Sequence, residues 1–417
     1  MTDMSPARTR KSSRVRKERL VVVGSGMAGL KLVEELHAAA PGRFDVTMVG
    51  AEPEAAYNRV LLSSVLAGEV SPADIALRDA EWYAASNTTV TTGVAVRSLD
   101  RVARTVSLSD GRTLAFDRLV LATGADPVRL PLPGADLAGV VTFRSTQDVT
   151  RMAASASVPG AHAVVIGGGL LGIEAAYGLA RAGATVTLVH VMDRLMERQL
   201  DDEGAGLLAR ALDVRGIRVR LATQTKAIHG HDRVEAVELG SGERLPCSLV
   251  VMAVGVRPAT AVAAAAGIAT GRGILVDDQM QTSAPGIYAL GDCVEHRKIC
   301  YGLVEPAYAQ ARVLAHVLAG AEAHYTGSVL ATNLKVSGVP VFSAGDFEGA
   351  GAEHVIVRDE CAPSYRKLAL HEGRLVGAVL VGDTADALWY ADLIAAGHNV
   401  ARFRGEIAFG RAYAEAA

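Results

Sequence analysis

The sequence predicts an α/β fold of two Rossmann-like domains followed by a small α+β domain, and three observations support this. A short apolar run near residue 20 enters a glycine turn and then a helical pattern, as in a βαβ unit. The same succession, which first turns at Gly24, returns at Gly167 and indicates a duplicated domain. From Ser328 onward the pattern changes to alternating strands and one helix.

The first glycine turn, GSGMAG, begins where the first apolar strand ends. Gly24 permits a tight turn, Gly26 lets the backbone approach a pyrophosphate, and Gly29 lets the helix pack closely on the strand. Met27 and Ala28 open the helix, whose free N–H groups and positive dipole end would face the phosphates. A single turn of this kind is also compatible with a plain packing role, so further motifs are needed.

An acidic residue follows the next strand of this unit. Glu52 comes shortly after the apolar strand Phe44–Val49, which itself follows the helix that begins at the glycine turn. A carboxylate at this place in the unit can bind the ribose hydroxyls of an adenine dinucleotide. The alternative is a solvated loop glutamate before Pro53, and the sequence favours the ribose-binding interpretation.

The second glycine turn repeats the first. It follows the apolar strand Ala163–Ile166, and its candidate cofactor-binding residues are Gly167, Gly169, Leu170, Leu171 and Gly172. A second echo links Ala122-Thr123-Gly124 with Ala253-Val254-Gly255, each of which follows an apolar strand downstream of its own glycine turn. Two repeats in the same order predict a whole-domain duplication with two dinucleotide sites.

Composition argues against several classes of function. Half of the residues are hydrophobic, yet no stretch approaches the roughly 20 apolar residues that span a bilayer. A net charge of −3 predicts neither nucleic-acid nor membrane-surface binding. None of the four cysteines belongs to a C-x-x-C pair, so no redox dithiol or cysteine-ligated metal site is predicted, and the cytoplasm is the expected compartment. Residues 1–18 predict a disordered basic tail, with a docking arm for an acidic redox partner as the alternative.

The two glycine turns, the two Ala-x-Gly echoes and the segment YALGD ending at Asp292 resemble the two-dinucleotide-binding flavoprotein oxidoreductases, the glutathione-reductase-like superfamily. The resemblance implies FAD at the first site, NADH or NADPH at the second, and an FAD-binding domain made of two segments. The expected divisions are the tail (1–18), the first FAD segment (19–145), the nicotinamide domain (146–274), the second FAD segment (275–325) and the C-terminal α+β domain (326–417).

A narrower resemblance extends over nearly the whole chain. Five segments resemble the flavoprotein portion of NAD(P)H-dependent assimilatory nitrite reductase large subunits: Tyr57–Gly68, Leu195–Asp201, Leu334–Gly338, Ser343–Asp346 and Gly382–Tyr390. That family continues into iron–sulfur and sirohaem modules, whereas this sequence has no clustered cysteines. The resemblance therefore implies electron transfer to an external iron–sulfur or other redox partner, and no nitrite reduction by this chain alone.

The resemblance also assigns residues to the flavin. Asp292 matches an aspartate that hydrogen-bonds the FAD ribityl chain, and Arg59 matches an arginine that contacts FAD, where a cation suits the pyrophosphate. Thr123 and Gly124 belong to the same implied site. Glu305-Pro306-Ala307 opens a helix whose amides would face the electron-rich pyrimidine edge of the flavin.

Glu174 matches a family glutamate beside the stacked flavin and nicotinamide rings. In ferredoxin reductases of the superfamily that glutamate pairs with a lysine, and here the matching position is Ser64, so a catalytic and a structural role stay open. Peroxidases and disulfide reductases of the superfamily keep a redox cysteine near the flavin, around Leu62–Val65. This sequence has none there, which argues against disulfide and peroxide chemistry.

The choice between NADH and NADPH depends on the end of the second strand in the repeated unit. His190 stands there, where NADH enzymes often carry Glu. Arg194 would suit the 2′-phosphate of NADPH, but Asp193 beside it argues against one. We expect NADH.

The sequence thus predicts an NAD(P)H-dependent flavoprotein oxidoreductase that feeds an iron–sulfur protein in nitrite or nitrate assimilation. Two alternatives stay open. One is a ferredoxin or rubredoxin reductase of another pathway, and the other is a non-enzymatic redox sensor that responds to NADH.

Overall fold

The computed structural model describes residues 16–334, 338–359 and 364–416. The first part of the chain forms β1 (Glu18–Val23), α1 (Met27–Ala39), β2 (Phe44–Val49), α2 (Leu62–Leu66), α3 (Ala80–Ala85), β3 (Thr88–Thr91), β4 (Val96–Asp100), β5 (Thr105–Leu108), β6 (Thr113–Ala115), β7 (Arg118–Leu121) and β8 (Ala125–Pro127). The repeated part forms β9 (Val140–Thr142), α4 (Thr146–Ala156), β10 (His162–Ile166), α5 (Leu170–Arg181), β11 (Thr185–Val189), α6 (Asp202–Val214), β12 (Ile217–Arg220), β13 (Thr225–Gly230), β14 (Val234–Leu239), β15 (Arg244–Pro246), β16 (Leu249–Met252) and β17 (Val256–Pro258).

The remaining elements complete the first domain and build the last one. They are α7 (Ala261–Ala265), β18 (Ile274–Val276), β19 (Ile287–Ala289), β20 (Val294–His296), α8 (Val304–Ala319), β21 (Ala331–Leu334), β22 (Val341–Gly345), β23 (Glu353–Asp359), β24 (Ser364–His371), β25 (Arg374–Val381), α9 (Ala387–Ala396) and α10 (Arg411–Ala414). Residues 1–15 of the basic tail, Lys335–Ser337 of one resemblance segment and Cys361 lie outside the described residues.

Two parallel sheets have the same topology. The first has the strand order β19-β7-β1-β2-β3 and the second β9-β16-β10-β11-β12, so each glycine turn follows the central strand of its sheet. Parallel strands end at one edge of a sheet, and each turn therefore opens at a carboxyl edge, where α/β sheets bind their ligands. The prediction of two Rossmann-like domains is confirmed.

The first domain is discontinuous, because β19 returns late in the chain to pair with β7. On one face of its sheet, α1 and α8 pack through apolar residues that include Leu30, Leu32 and Leu314. The boundaries differ from those expected. The strand β9 lies before residue 146 yet pairs with β16 of the second sheet, and Ala263 of α7 already belongs to the apolar core of the first domain.

Two local features complete the description of the elements. The strand β4 pairs with β5 in an antiparallel manner. The N-cap residue of α9 is Asp386. The carboxylate of Asp383 accepts the Ala385 N–H at 3.1 Å, so this segment is held as a turn and the helix begins later.

The last domain is an antiparallel sheet with the order β21-β22-β25-β24-β23, covered by α9. It docks on α6 of the second domain through the N-cap carboxylate of that helix. Asp201 accepts the hydroxyl of Tyr365 at 2.7 Å and pairs with the Lys367 ammonium at 3.2 Å. Among the described residues, no helix combines the length and apolar character needed to cross a bilayer.

Candidate functional site

In the first glycine turn, backbone atoms crowd Gly24 and Gly29, whereas Gly26 is open. A Cβ at Gly24 would lie 2.0 Å from the carbonyl O of Ala122, and its φ of +117° strains any L side chain. A Cβ at Gly29 would lie 2.4 Å from the carbonyl O of Gly24, because α1 crosses close to the strand. At Gly26, which caps α1, no atom of the described residues other than those of its chain neighbours lies within 4 Å of the Cβ position. The half-buried first turn of α1, with Met27 and Ala28, therefore faces open space with free N–H groups.

The second turn reproduces this geometry. Gly167 has φ +119°, and its Cβ position lies 2.3 Å from the carbonyl O of Ala253. A Cβ at Gly172 would lie 1.9 Å from the carbonyl O of Gly167, whereas Gly169 is open, with no atom within 4 Å in the described part of the chain apart from its own neighbours in sequence. The half-buried first turn of α5 then carries Leu170 and Leu171. Both turns thus offer an anion the same uncovered helix N-terminus.

An antiparallel ribbon joins the two turns. The strands that follow the Ala-x-Gly echoes pair with each other, so β8 and β17 link the two domains. The Thr123 hydroxyl donates to the carbonyl O of Ala259 at 2.7 Å, and the Ala259 N–H donates to the carbonyl O of Gly124. Gly255, with φ +110°, has no atom within 4 Å of its Cβ position. The repeated sequences therefore meet between the two sites, where Thr123 holds the domains together.

Glu52 and Arg59 contact each other beyond the end of β2. Arg59 Nη2 donates to Glu52 Oε1 at 2.5 Å, and the Tyr57 hydroxyl donates to Glu52 Oε2 at 2.6 Å. The Arg59 guanidinium carbon lies 4.9 Å from the centre of the Tyr57 ring, and its Nη1 donates to the carbonyl O of Arg144. The two candidates predicted separately for ribose and pyrophosphate thus form one hydrogen-bonded cluster at the first site.

Arg144, which the sequence analysis did not single out, forms an ion pair with the candidate residue Asp292. Its Nη2 lies 2.8 Å from Asp292 Oδ2, and each of the two side chains is 21% exposed, so the pair is shielded but reachable. The backbone of Arg144 is held by Asp148, whose carboxylate accepts its N–H at 2.9 Å within the capping box of α4. The S-x-x-D signature at Ser145 was the available signal, since it places the preceding residue at a helix entrance.

The N-terminus of α8 lies beside the first turn. Gly291 approaches Ala28 of α1, and the Gly291 N–H donates to Oε1 of the buried Gln310 at 2.8 Å. Pro306 and Ala307 are buried in the first turn of α8, whereas the Glu305 side chain is 77% exposed and pairs with Arg312. The backbone of this segment, and not the Glu305 carboxylate, is therefore placed to face a cofactor.

Glu174 is buried in the second turn of α5 without a partner among the described residues. Its residue is 6% exposed, and burial alone raises the pKa of the carboxyl to about 8. The helix α5 packs against α2, where a Cβ at Gly178 would lie 2.8 Å from the Leu66 side chain. A buried carboxyl without an ion pair holds a proton at neutral pH, which distinguishes Glu174 from the paired acids of the site.

His190 ends β11 next to the second turn. Its Nδ1 accepts the Gly168 N–H at 3.0 Å, and its Nε2 lies 3.1 Å from Glu197 Oε2. Arg194, which the sequence offered to a 2′-phosphate, pairs instead with Asp202 at 3.0 Å and with Glu348 at 3.4 Å. The Arg194 guanidinium is therefore already paired with two carboxylates of the chain.

The described cysteines are poorly suited to thiol chemistry. Burial raises the pKa of Cys247 to about 12 and also raises those of Cys293 and Cys300. Cys293, directly after Asp292, is fully buried with its Sγ 3.4 Å from the carbonyl O of Leu121. No group of three or more potential metal ligands occurs in the described ranges.

The residues present fit two dinucleotides. Both turns leave an uncovered helix N-terminus, as a pyrophosphate needs. At the first site the buried Thr146 hydroxyl has no hydrogen-bond partner among the residues that the structure describes, while the backbone of Thr146 lies against the Tyr57 hydroxyl. A buried polar atom without a partner beside a cationic cluster is consistent with a polar ligand at this place.

Known proteins share this arrangement. The model of the pyridine nucleotide-disulphide oxidoreductase family matches residues 18–313, and that of the rubredoxin NAD+ reductase C-terminal domain matches residues 331–398. Nitrite reductase (NAD(P)H) of Bacillus subtilis strain 168 is 48% identical over 372 residues, which are 89% of this chain and 46% of that protein. The assimilatory nitrate reductase electron transfer subunit of the same strain is 40% identical over 377 residues, 89% of this chain and 48% of that protein.

The chain spans about half the length of these curated relatives. A crystal structure of a covalent putidaredoxin reductase–putidaredoxin complex superposes with a TM-score of 0.85 at 28% identity. That superposition covers 92% of this chain and 94% of the other, so the likeness includes all three domains.

Proposed function

Because the chain belongs to the pyridine nucleotide-disulphide oxidoreductase family, we propose that it carries electrons from NADH or NADPH through FAD to a separate iron–sulfur protein. The chain is an NAD(P)H-dependent oxidoreductase that uses FAD. The observation that carries the proposal is the pair of matching glycine turns joined by the β8–β17 ribbon. This arrangement would bring two dinucleotide sites together at the junction of two domains.

Each turn would hold one pyrophosphate. The backbone around Gly26 would bind that of FAD, and the backbone around Gly169 that of the nicotinamide, since both helix N-termini are uncovered. Arg59 lies at the first site, where its cation is shared with Glu52. Arg144 would orient Asp292 toward the sugar-like chain of the flavin, because the 2.8 Å pair holds the carboxylate at the carboxyl edge.

When bound, FAD supplies the capacity to accept a hydride and to release electrons singly. The chain contributes geometry, since hydride transfer needs close and aligned rings more than acid–base help. Glu174 holds a proton near neutral pH because of its burial and places no negative charge inside α5. No cysteine occurs between Leu62 and Val65, which agrees with electron delivery to an outside protein.

Nitrite or nitrate assimilation is the pathway we favour, because two relatives named for these reactions share 40% to 48% identity with this chain. The rest of each relative lies outside the similarity, so the reduction itself is assigned to another module or protein. A ferredoxin or rubredoxin reductase of another pathway is the second candidate, supported by the superposition on putidaredoxin reductase over 94% of that chain. A cytoplasmic location, and flavin and nucleotide contacts of the named residues, are part of the proposal.

The test is anaerobic reduction of the purified yellow protein. Adding NADH or NADPH is expected to bleach the flavin, and ferricyanide or cytochrome c is expected to reoxidise it with fast turnover. Purified iron–sulfur proteins from the same cell then separate the two candidate pathways by their relative kcat/KM. Failure of both nucleotides to reduce the flavin would refute the proposal. Slow turnover with every acceptor, together with NADH-dependent complex formation, would favour a redox sensor.

A further inference from the structure

The position that commonly selects NADH in a Rossmann domain is occupied here by a histidine. His190 directly follows β11, the second strand of the repeated unit, where an acidic residue would bind the adenosine ribose. A neutral imidazole is a weaker hydroxyl acceptor than a carboxylate and does not repel a 2′-phosphate. The side chain is 9% exposed, which leaves little of it for a ligand to reach.

Two hydrogen bonds define the state of His190. The Gly168 N–H donates to its Nδ1, so that nitrogen carries no hydrogen, and the hydrogen-bond network assigns the proton to Nε2. The ring packs closely against the turn, since a Cβ at Gly168 would lie 2.6 Å from its Cγ and Cδ2. The Nε2–H then donates to Glu197 Oε2 at 3.1 Å. The histidine therefore orients a carboxylate beside the glycine turn.

The loop that carries Glu197 is tied to the same turn. The Met196 N–H donates to the carbonyl O of Gly168 at 3.0 Å, which brings the neighbouring Glu197 next to the strand end. The Glu197 side chain is 29% exposed and lines an open cleft of about 620 Å³ beside the C-terminal domain, so a ligand can reach it. Two cations lie nearby, of which Arg194 is paired with Asp202 and Glu348, and Arg198 lines the same cleft.

We propose that Glu197, positioned by His190, is the carboxylate that accepts the adenosine ribose hydroxyls and selects NADH over NADPH. This rests on the proposed function, because it assumes that the second glycine turn binds a nicotinamide dinucleotide. A carboxylate at the ribose accepts two hydroxyls but repels a 2′-phosphate, and the paired cation Arg194 is not free to offset this repulsion. His190 is a positioning residue in this scheme.

The test measures equilibrium binding of NAD+ and NADP+ to the oxidised holoenzyme by calorimetry, which needs no turnover. The parent is expected to bind NAD+ at least about tenfold more tightly, which corresponds to one charged interaction. Glu197→Gln is expected to reduce that ratio about tenfold, and Glu197→Asp to retain most of it. His190→Ala should reduce the ratio less than Glu197→Gln does, because the carboxylate remains but loses its orientation.

Glu235→Gln is the matched control, since it removes one exposed carboxylate from β14, which belongs to the sheet β13-β14-β15 and not to the sheet that carries the turn. It should leave the ratio unchanged. Arg198→Ala tests whether the nearby cation, and not Glu197, determines the choice of nucleotide. If this variant lowers NADP+ affinity by more than Glu197→Gln raises it, the cation governs selection and the inference is wrong. An unchanged ratio in Glu197→Gln, or a parent that prefers NADP+, would also overturn it. Binding of neither nucleotide would instead contradict the proposed function.

Discussion

Replacing Glu174 with Gln tests whether a buried, unpaired carboxyl holds a proton in the folded protein. Burial raises the pKa of Glu174 from 4.5 to about 8. Between these values the folded chain keeps a proton that the unfolded chain has lost, so the free energy of unfolding falls as the pH rises. Glutamine has nearly the same volume and does not ionise, so Glu174→Gln removes this dependence.

The magnitude follows from the two pKa values. Near pH 4.5 the parent and the variant should have similar stability. Because pH 7 lies about 2.5 units above the pKa of the unfolded carboxyl, ionisation stabilises the unfolded state of the parent but not that of the variant. The variant should therefore be more stable by about 3 kcal/mol at pH 7, and this difference should level off above pH 8. With about 2.1 cal/mol/K of unfolding entropy per residue, this corresponds to a rise of about 3–4 °C in Tm if the 417 residues unfold together.

Scanning calorimetry of the holoprotein without nicotinamide, at half-unit steps from pH 5 to pH 9, measures the difference. Glu235→Gln, an exposed glutamate on β14, is the control and should show no trend with pH. A gain in Tm that is the same at every pH would refute the reasoning, and so would a loss. The rate of flavin reduction by NADH adds the functional answer: a change in rate around pH 8 that disappears in Glu174→Gln would make Glu174 catalytic, whereas parallel profiles would make it structural.

Three further predictions concern the first site and the last domain. Gly26→Val should fold within about 1 kcal/mol of the parent, because the Cβ position is open among the described residues beyond its chain neighbours and φ is −84°. It should nevertheless purify with at least about tenfold less FAD, as read from the flavin absorbance. Arg144→Ala should weaken FAD retention about tenfold by freeing the Asp292 carboxylate, with Arg144→Lys intermediate, and unchanged retention in dialysis would contradict the pairing. Asp201→Asn should loosen the docking of the C-terminal domain by about 1–3 kcal/mol, detected as faster hydrogen exchange in β24. Although burial opposes ionisation, hydrogen bonds lower the pKa of Asp201 below 3.8, so the parent should keep this docking above that pH and lose it as the pH falls further.

Local patterns were enough for the elements that carry the site. Apolar runs that end in glycine turns predicted β1, β10 and the helices that follow, because a buried parallel strand and an amphipathic helix each leave a distinct periodicity. The matching order of the repeats predicted that the two domains share one topology, and the two sheets have the same strand order. Glycine at positions 24 and 167 predicted a tight turn, since few other residues adopt the strongly positive φ that both have.

Local sequence was therefore sufficient to predict the two turns, their order and the lack of a cysteine between Leu62 and Val65. Tertiary structure alone decided which distant charges meet. Arg144 and Asp292 are 148 residues apart, and nothing local to either indicates that the chain returns through β19 to bring them within 2.8 Å. The pairing of His190 is also a tertiary contact, because the loop that follows β11 folds back and places Glu197 at the histidine Nε2. Periodicity reports which face of an element is buried, whereas the pairing of polar side chains depends on how the elements are stacked in space.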